Sequence, residues 1–399
     1  MYSIKELFKM GNGPSSSHTI GPLEASKEFL KRYSEGIDEV RVILYGSLAL
    51  TGRGHLTDYI IEKTILPLPV HIEFDIDTLM EHPNTMIFEG IKNGKKICSM
   101  KVFSIGGGFI RIADEAESIS KKIYPLQSFK DIASYCKKHR LNLAEYVSQI
   151  EDEEIDAYLE GIYSVMLDSI ERGLAHTGVL PGKLQVKRKA AYIYKQNSKG
   201  SEYDLLRKKV FAYAYAVSEE NASGGLIVTA PTCGASGVLP ACLKYAIELN
   251  LYTHKQCIDA LKVAGLIGNL VKTNGSISGA EAGCQAEIGT ACAMAAAFLA
   301  FLEGGSLETI ERASEIALEH HLGLTCDPVL GYVQIPCIER NAVASLRAID
   351  AAKLASYLNS NDSKISFDSV VKTMVTTGQD LRTSYRETAE GGLAKLFEE

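Results

Sequence analysis

The chain has 399 residues, is 46% hydrophobic and 23% charged, and carries a formal net charge of −7. That length predicts two or three domains with ample buried core, and the acidic balance argues against nucleic acid as the main partner. No apolar run reaches the roughly 18–20 residues that cross a bilayer, and Met1–Met10 lacks the apolar core of a signal peptide, so a cytoplasmic protein with no membrane partner is expected.

Residues 1–126 mix helical and strand patterns. Ile4–Met10 reads as a short helix, and the loop Gly13–Thr19 leads into a second helix over Pro22–Ser34. Val40–Tyr45 is a β-branched strand, Thr57–Ile65 a helix and His71–Ile76 a strand. Thr85–Glu89 and Lys95–Ser104 read as a hairpin turned at Asn93-Gly94, and Phe109–Ile112 continues it. This predicts an α+β domain.

From about residue 127 the period switches to that of helices. Apolar residues three and four apart mark Phe129–His139, Asn142–Gln149, Glu153–Gly173, Glu202–Ser218, Leu239–Leu249, His254–Lys272, Ala286–Leu302, Ser306–His321, Ala342–Leu358 and Phe367–Gly378. Thr290–Leu302 is Ala-rich and reads as a buried helix. Lys183–Lys189 reads as a solvated basic face. The expected architecture is an α+β domain over 1–126 followed by an all-α domain over 127–399.

Several loops carry more chemistry than short helix connections need. Gly13–Thr19 sets hydroxyls and His18 just before a helix, where free N–H groups suit a carboxylate or phosphate; a capped helix start with a solvent-facing His is the plainer reading. Thr51-Gly52-Arg53-Gly54-His55 presents a second His directly after a Gly-rich turn. Thr232 lies in the Gly-rich turn 230–237, and Asn274 and Ser276 lie in another such stretch. Gly106–Gly108 lacks the G-x-G-x-x-G spacing of a nucleotide loop and reads as a turn.

Nine cysteines are spread through the chain. Most read as small core residues. Cys284, Cys326 and Cys337 differ, each lying in a Gly- or Pro-rich stretch where the backbone can bend close to something bulky. Three thiolates on separate turns suit a cubane iron–sulfur cluster with one iron free of protein. Zinc pairs of the C-x₂₋₄-C type are absent, and spacing alone does not single out a metal.

Taken together, G-P-S-S-S-H-T-I-G-P, T-G-R-G-H, E-N-A-S-G-G, T-A-P-T-C-G-A-S-G, N-G-S-I-S-G-A-E-A-G-C-Q, H-H-L-G-L-T-C-D-P-V, I-P-C-I-E-R-N-A and Y-R-E-T-A-E-G-G-L-A closely resemble the bacterial iron–sulfur-dependent L-serine dehydratases, in order and spacing, over nearly the whole chain. The resemblance implies a β-type domain fused to an all-helical α-type domain. It implies a [4Fe-4S] cluster on Cys284, Cys326 and Cys337, L-serine as substrate, pyruvate and ammonia as products, and a homodimer. His55 is preferred as the base that removes the Cα proton, with His18 and Lys272 as the other candidates. Ser16, Ser17 and Thr19 are expected to grip the substrate carboxylate with His18, and Thr232, Asn274 and Ser276 to line the substrate site. The chain departs from the family pattern at Cys233, where many relatives carry Asn, and in ending without a cysteine. The competing readings are a cysteine desulfidase on the same scaffold, a pyridoxal-phosphate lyase, and a non-enzymatic iron–sulfur sensor. A pyridoxal-phosphate enzyme needs a well-framed Lys, and a sensor usually has a fourth cysteine.

Overall fold

Alternating apolar residues and long three–four repeats build two separate units, Gly11–Ser120 and Met1–Met10 with Lys121–Glu399. The computed structural model describes residues 1–82, 84–113, 115, 122–197, 200–359, 362–387 and 390–397. Two residues of the Y-R-E-T-A-E-G-G-L-A motif, 388 and 389, lie outside the described residues.

In the first unit, helix α1 (Gly21–Tyr33) precedes strand β1 (Glu39–Tyr45), helices α2 (Gly46–Thr51) and α3 (Thr57–Ile65), and strands β2 (Val70–Asp75), β3 (Thr85–Lys92), β4 (Lys95–Gly106) and β5 (Phe109–Ile112). The sheet order is β2-β1-β3-β4-β5. β1 runs parallel to β2 (Val42 opposite Ile72) and antiparallel to β3 (Val42 opposite Phe88). Asn93 and Gly94 both take positive φ, the conformation a two-residue hairpin turn requires. Val40, Val42 and Leu44 bury one face of β1 against Ala25 and Phe29 of α1 and Ile60 and Ile61 of α3. The sequence left Gly46–His55 without an element; its first half is α2.

The second unit is helical: α4 (Phe129–His139), α5 (Leu143–Ile150), α6 (Ile155–Ala175), α7 (Ala190–Lys195), α8 (Glu202–Ala222), α9 (Val238–Glu248), α10 (His254–Asn274), α11 (Gly279–Ala282), α12 (Thr290–Leu302), α13 (Leu307–Glu319), α14 (Cys337–Tyr357) and α15 (Phe367–Asp380). α12 is apolar on every side and packs against α10, α13 and α14, as a central helix must. A π-helical turn, Gln285–Gly289, extends it at its start. The joined stretch Gln285–Leu302 is long and apolar enough to cross a membrane, against the sequence expectation, but 89% of it is buried inside the structure.

The first ten residues belong with these helices. Ile4, Leu7 and Phe8 are fully buried beside Gly265 and Gly268 of α10, where a Cβ would collide with their side chains. The helix expected over Ile4–Met10 is a single 3₁₀ turn, Ile4–Glu6. α7 was hidden in the sequence behind the basic run before it. Within that run Lys183 and Lys187 are exposed, but Arg188 is turned inward onto Glu220 at 3.1 Å. α14 starts at Cys337, five residues earlier than its apolar repeat suggested.

Candidate active site

Local backbone features bring the cysteines to their positions in the helical unit. Gly283, at φ +75°, turns the chain between α11 and the π-turn, leaving Cys284 at the N-cap of that turn. Cys326 lies between α13 and α14 and is held at both backbone groups: its N–H donates to the Tyr385 carbonyl, and its carbonyl accepts from the Glu387 N–H, both at 2.8 Å. Cys337 is the first residue of α14, directly after Pro336.

Glu287, three residues beyond Cys284, links two of the three. Its Oε2 lies 3.8 Å from Cys284 Sγ and 3.9 Å from Cys326 Sγ, and the three ligand atoms stand within 4.8 Å of one another. Its Oε1 accepts from Thr232 Oγ1 at 2.9 Å. Gly279 makes the close approach feasible, because a Cβ there would stand 2.7 Å from Glu287 Oε2 and 2.9 Å from Cys326 Sγ. Arg340, one turn into α14, donates to the Thr325 carbonyl at 2.6 Å and to Asp327 Oδ1 at 3.1 Å.

These groups share charge. The Cys326 thiol donates to Cys284, and with the Arg340 guanidinium it pulls Cys284 below the ordinary thiol range; Cys326 is pushed up in return. Burial raises Cys337, and the negative charge on Cys284 raises it further. Burial and the Cys284 charge push Glu287 up to about 8. The site thus sets one thiol with a lowered pKa beside two whose pKa values are raised, next to an acid, Glu287, that keeps its proton near neutral pH. Soft sulfur donors gathered in this way suit zinc or iron rather than magnesium or calcium.

In the sheet unit, the π-helical turn Ser16–Ile20 carries His18, with Ser15 Oγ accepting from the His18 N–H at 3.2 Å. The His18 and His55 rings lie 4.7 Å apart between centroids. His18 is held at both ring nitrogens, Nδ1 against Ser17 Oγ at 2.8 Å and Nε2 against Ser47 Oγ at 2.9 Å. His55 Nδ1 lies 3.1 Å from the Thr51 carbonyl. A carbonyl can only accept, so Nδ1 bears the proton and Nε2 has the lone pair. Burial holds His55 down at about 4, and burial together with His55 lowers His18, so both rings are neutral near pH 7. Ser16 is buried. Thr19 Oγ1 donates to the His55 carbonyl at 2.7 Å and accepts from the Ser15 N–H at 3.1 Å, fastening the two histidine segments together.

The remaining sequence candidates in the helical unit have other partners. Asn274 donates to the Gln127 and Leu270 carbonyls at 2.7 and 2.9 Å, closing the end of α10. Ser276 bonds to Glu281. Lys272, its pKa lowered by burial, faces Glu6 at 3.8 Å. Sequence reasoning missed Glu287, Arg340 and Ser47. A carboxylate one turn after a candidate ligand was the signal for Glu287, and Arg340 stands in the I-P-C-I-E-R-N-A motif three residues after Cys337; Ser47 had none.

Known proteins match this chain along its length. The family model described as serine dehydratase alpha chain matches residues 80–394, and the serine dehydratase beta chain model matches residues 3–68. The L-serine dehydratase of Haemophilus influenzae is 39% identical over 450 residues, covering 99% of both chains. L-serine dehydratase TdcG of Escherichia coli K12 and the L-serine dehydratase of Helicobacter pylori 26695 are each 40% identical, over 450 and 452 residues, again covering 99% of both chains.

Proposed function

We propose that this chain, which belongs to the serine dehydratase family and is an enzyme, converts L-serine to pyruvate and ammonia. The observation that carries this reading is identity of about 40% to L-serine dehydratases over 99% of both sequences. The substrate proposed is free L-serine, and the working form a cytoplasmic homodimer.

Cys284, Cys326 and Cys337 would hold a [4Fe-4S] cluster. The donor set fits such a group: three soft sulfur donors on separate turns, space left by Gly279, and the Arg340 cation to offset thiolate charge. When bound, the cluster supplies a Lewis acid at the iron that has no protein ligand.

The protein's own residues do the rest. The Cα proton of serine is weakly acidic and hydroxide is a poor leaving group, so a positioned base matters. His55 Nε2, unprotonated at neutral pH, takes the Cα proton. Thr19 and Thr51 hold that ring in place through the His55 carbonyl and Nδ1. Ser16, Ser17 and His18 bind the carboxylate. The β-hydroxyl leaves as water, taking up the proton that His55 Nε2 removed from Cα, and the aminoacrylate released tautomerises to an imine that water hydrolyses to pyruvate and ammonia. In the helical unit, Thr232 orients Glu287 beside the thiols.

The test is anaerobic reconstitution with iron and sulfide, followed by assay of pyruvate from L-serine. Activity that appears with the cluster and is lost to oxygen or an iron chelator supports the reading. A well-formed cluster that releases no pyruvate from serine, threonine or cysteine would overturn it.

A further inference from the structure

The three sulfur-and-carboxylate ligand atoms of Cys284, Cys326 and Glu287 are spaced for one ion. Bonds of about 2.3 Å from zinc to sulfur and about 2.1 Å to oxygen, at the tetrahedral angle, set a sulfur–oxygen edge of about 3.6 Å. The two such edges here are 3.8 and 3.9 Å, and all three atoms lie within 4.8 Å of one another. Thiolates on separate irons of a cubane must stand further apart than thiolates sharing one ion. Cys337 lies outside this closest group.

We propose that Cys284, Cys326 and Glu287 form a site for a single divalent ion of zinc, ferrous or cobaltous type, with a fourth position open. It goes beyond the dehydratase reading, uses a different ligand set, and excludes the cluster while occupied because two cysteines are common to both. Thr232 orients the carboxylate by its hydrogen bond to Oε1, and Gly279 leaves room for Oε2 and Cys326 Sγ to converge. The donor set of two thiolates and one carboxylate suits borderline-soft ions and not magnesium.

The test uses the full-length chain, stripped of metal and kept reduced, titrated with Co²⁺. One Co²⁺ per chain is expected, with sulfur-to-cobalt charge-transfer absorption and the visible bands of a tetrahedral site. Glu287→Gln, nearly isosteric, should weaken binding by at least about tenfold with its far-UV circular dichroism unchanged. Cys337→Ser should leave Co²⁺ affinity and spectrum as in the parent while preventing cluster assembly. The proposal fails if Glu287→Gln binds Co²⁺ like the parent, if Cys337→Ser loses Co²⁺ as Cys284→Ser does, or if the reduced parent binds none. Co²⁺ binding by a parent that never assembles a cluster supports this site and counts against the cofactor assigned above.

Discussion

The hydroxyl of Thr232 donates to Glu287 Oε1 at 2.9 Å and leaves Oε2 of the same carboxyl between two cysteine sulfurs. The turn before α9 thereby sets the orientation of a side chain 55 residues further on. Thr232→Val removes the donor but keeps the shape. It should lower stability by about 1–2 kcal/mol, the range for a partly buried bond whose acceptor is left without a partner. Thr232→Ser should restore most of the loss. Urea midpoints of the three proteins check this, and equal midpoints for Val and Thr would remove Thr232 from the account.

His55 offers a base whose tautomer is set by the Thr51 carbonyl. His55→Asn retains an N–H able to reach that carbonyl, so the local fold should survive. Loss of the base should lower kcat by about 10²–10⁴-fold, with a smaller change in KM, because the ring acts on the reacting carbon more than on binding. Steady-state kinetics on the reconstituted enzyme measures the split. A kcat within about tenfold of the parent would transfer the role to another group.

What could be read in the sequence divides along physical lines. The cysteines stood out because Gly and Pro around a thiol are unusual for a core residue, and the long helices because their repeats run for several turns. Glu287 did not, since Glu in the turn before a buried helix is common and its meaning comes from Cys326, 39 residues away. Arg340 reads as one more charge on α14 until Thr325 and Asp327 fold back onto it. The N-terminal decade was assigned to the first domain by chain order, whereas Ile4, Leu7 and Phe8 are buried under α10, a contact no local pattern encodes. Asn274 and Ser276 each bond to nearby protein groups, and small polar residues serve loop ends and binding sites equally well, so their sequence pattern alone does not separate the two roles.

Two buried groups give the stability–pH curve opposing slopes over overlapping windows, pH 4.5 to 7 and pH 4 to 6.5. Burial raises Glu219 from 4.5 to about 7, so its contribution is complete below pH 4.5 and is lost as pH rises through 7. Burial lowers His321 from 6.5 to about 4, so its contribution is complete above 6.5 and is lost as pH falls through 4. Arg347 and His320 beside His321 push in the same direction as burial. Glu219→Gln should still accept from the Lys189 and Ala190 N–H groups while flattening the fall between pH 4.5 and 7. His321→Asn, able to donate to the Ala317 carbonyl as Nδ1 does, should remove the opposing rise between pH 4 and 6.5. Each effect should be on the order of 1–3 kcal/mol across its window. Urea unfolding at several pH values measures both slopes, and an unchanged slope in either variant would exclude that group as its source.

Helix α6 carries two glycines for which the same substitution should have opposite signs. At Gly173 a Cβ would stand 2.2 Å from the Ala216 carbonyl oxygen and 2.6 Å from its Cα. Those are backbone atoms of α8, so no side chain can swing aside and the two helices would have to separate. Gly173→Ala should therefore cost about 3 kcal/mol, near the upper end for overpacking a close helix contact. At Gly161 the nearest atom to a new Cβ is Met10 Cε at 3.9 Å, an ordinary contact. Neither glycine takes a positive φ, so backbone strain does not enter. Gly161→Ala should raise stability by about 0.5–1 kcal/mol, the helical advantage of Ala over Gly, because nothing opposes it. Urea midpoints of the two variants against the parent check both signs at once. A neutral Gly173→Ala would mean that α6 and α8 can part at little cost, and the tight helix crossing described here would have to be abandoned.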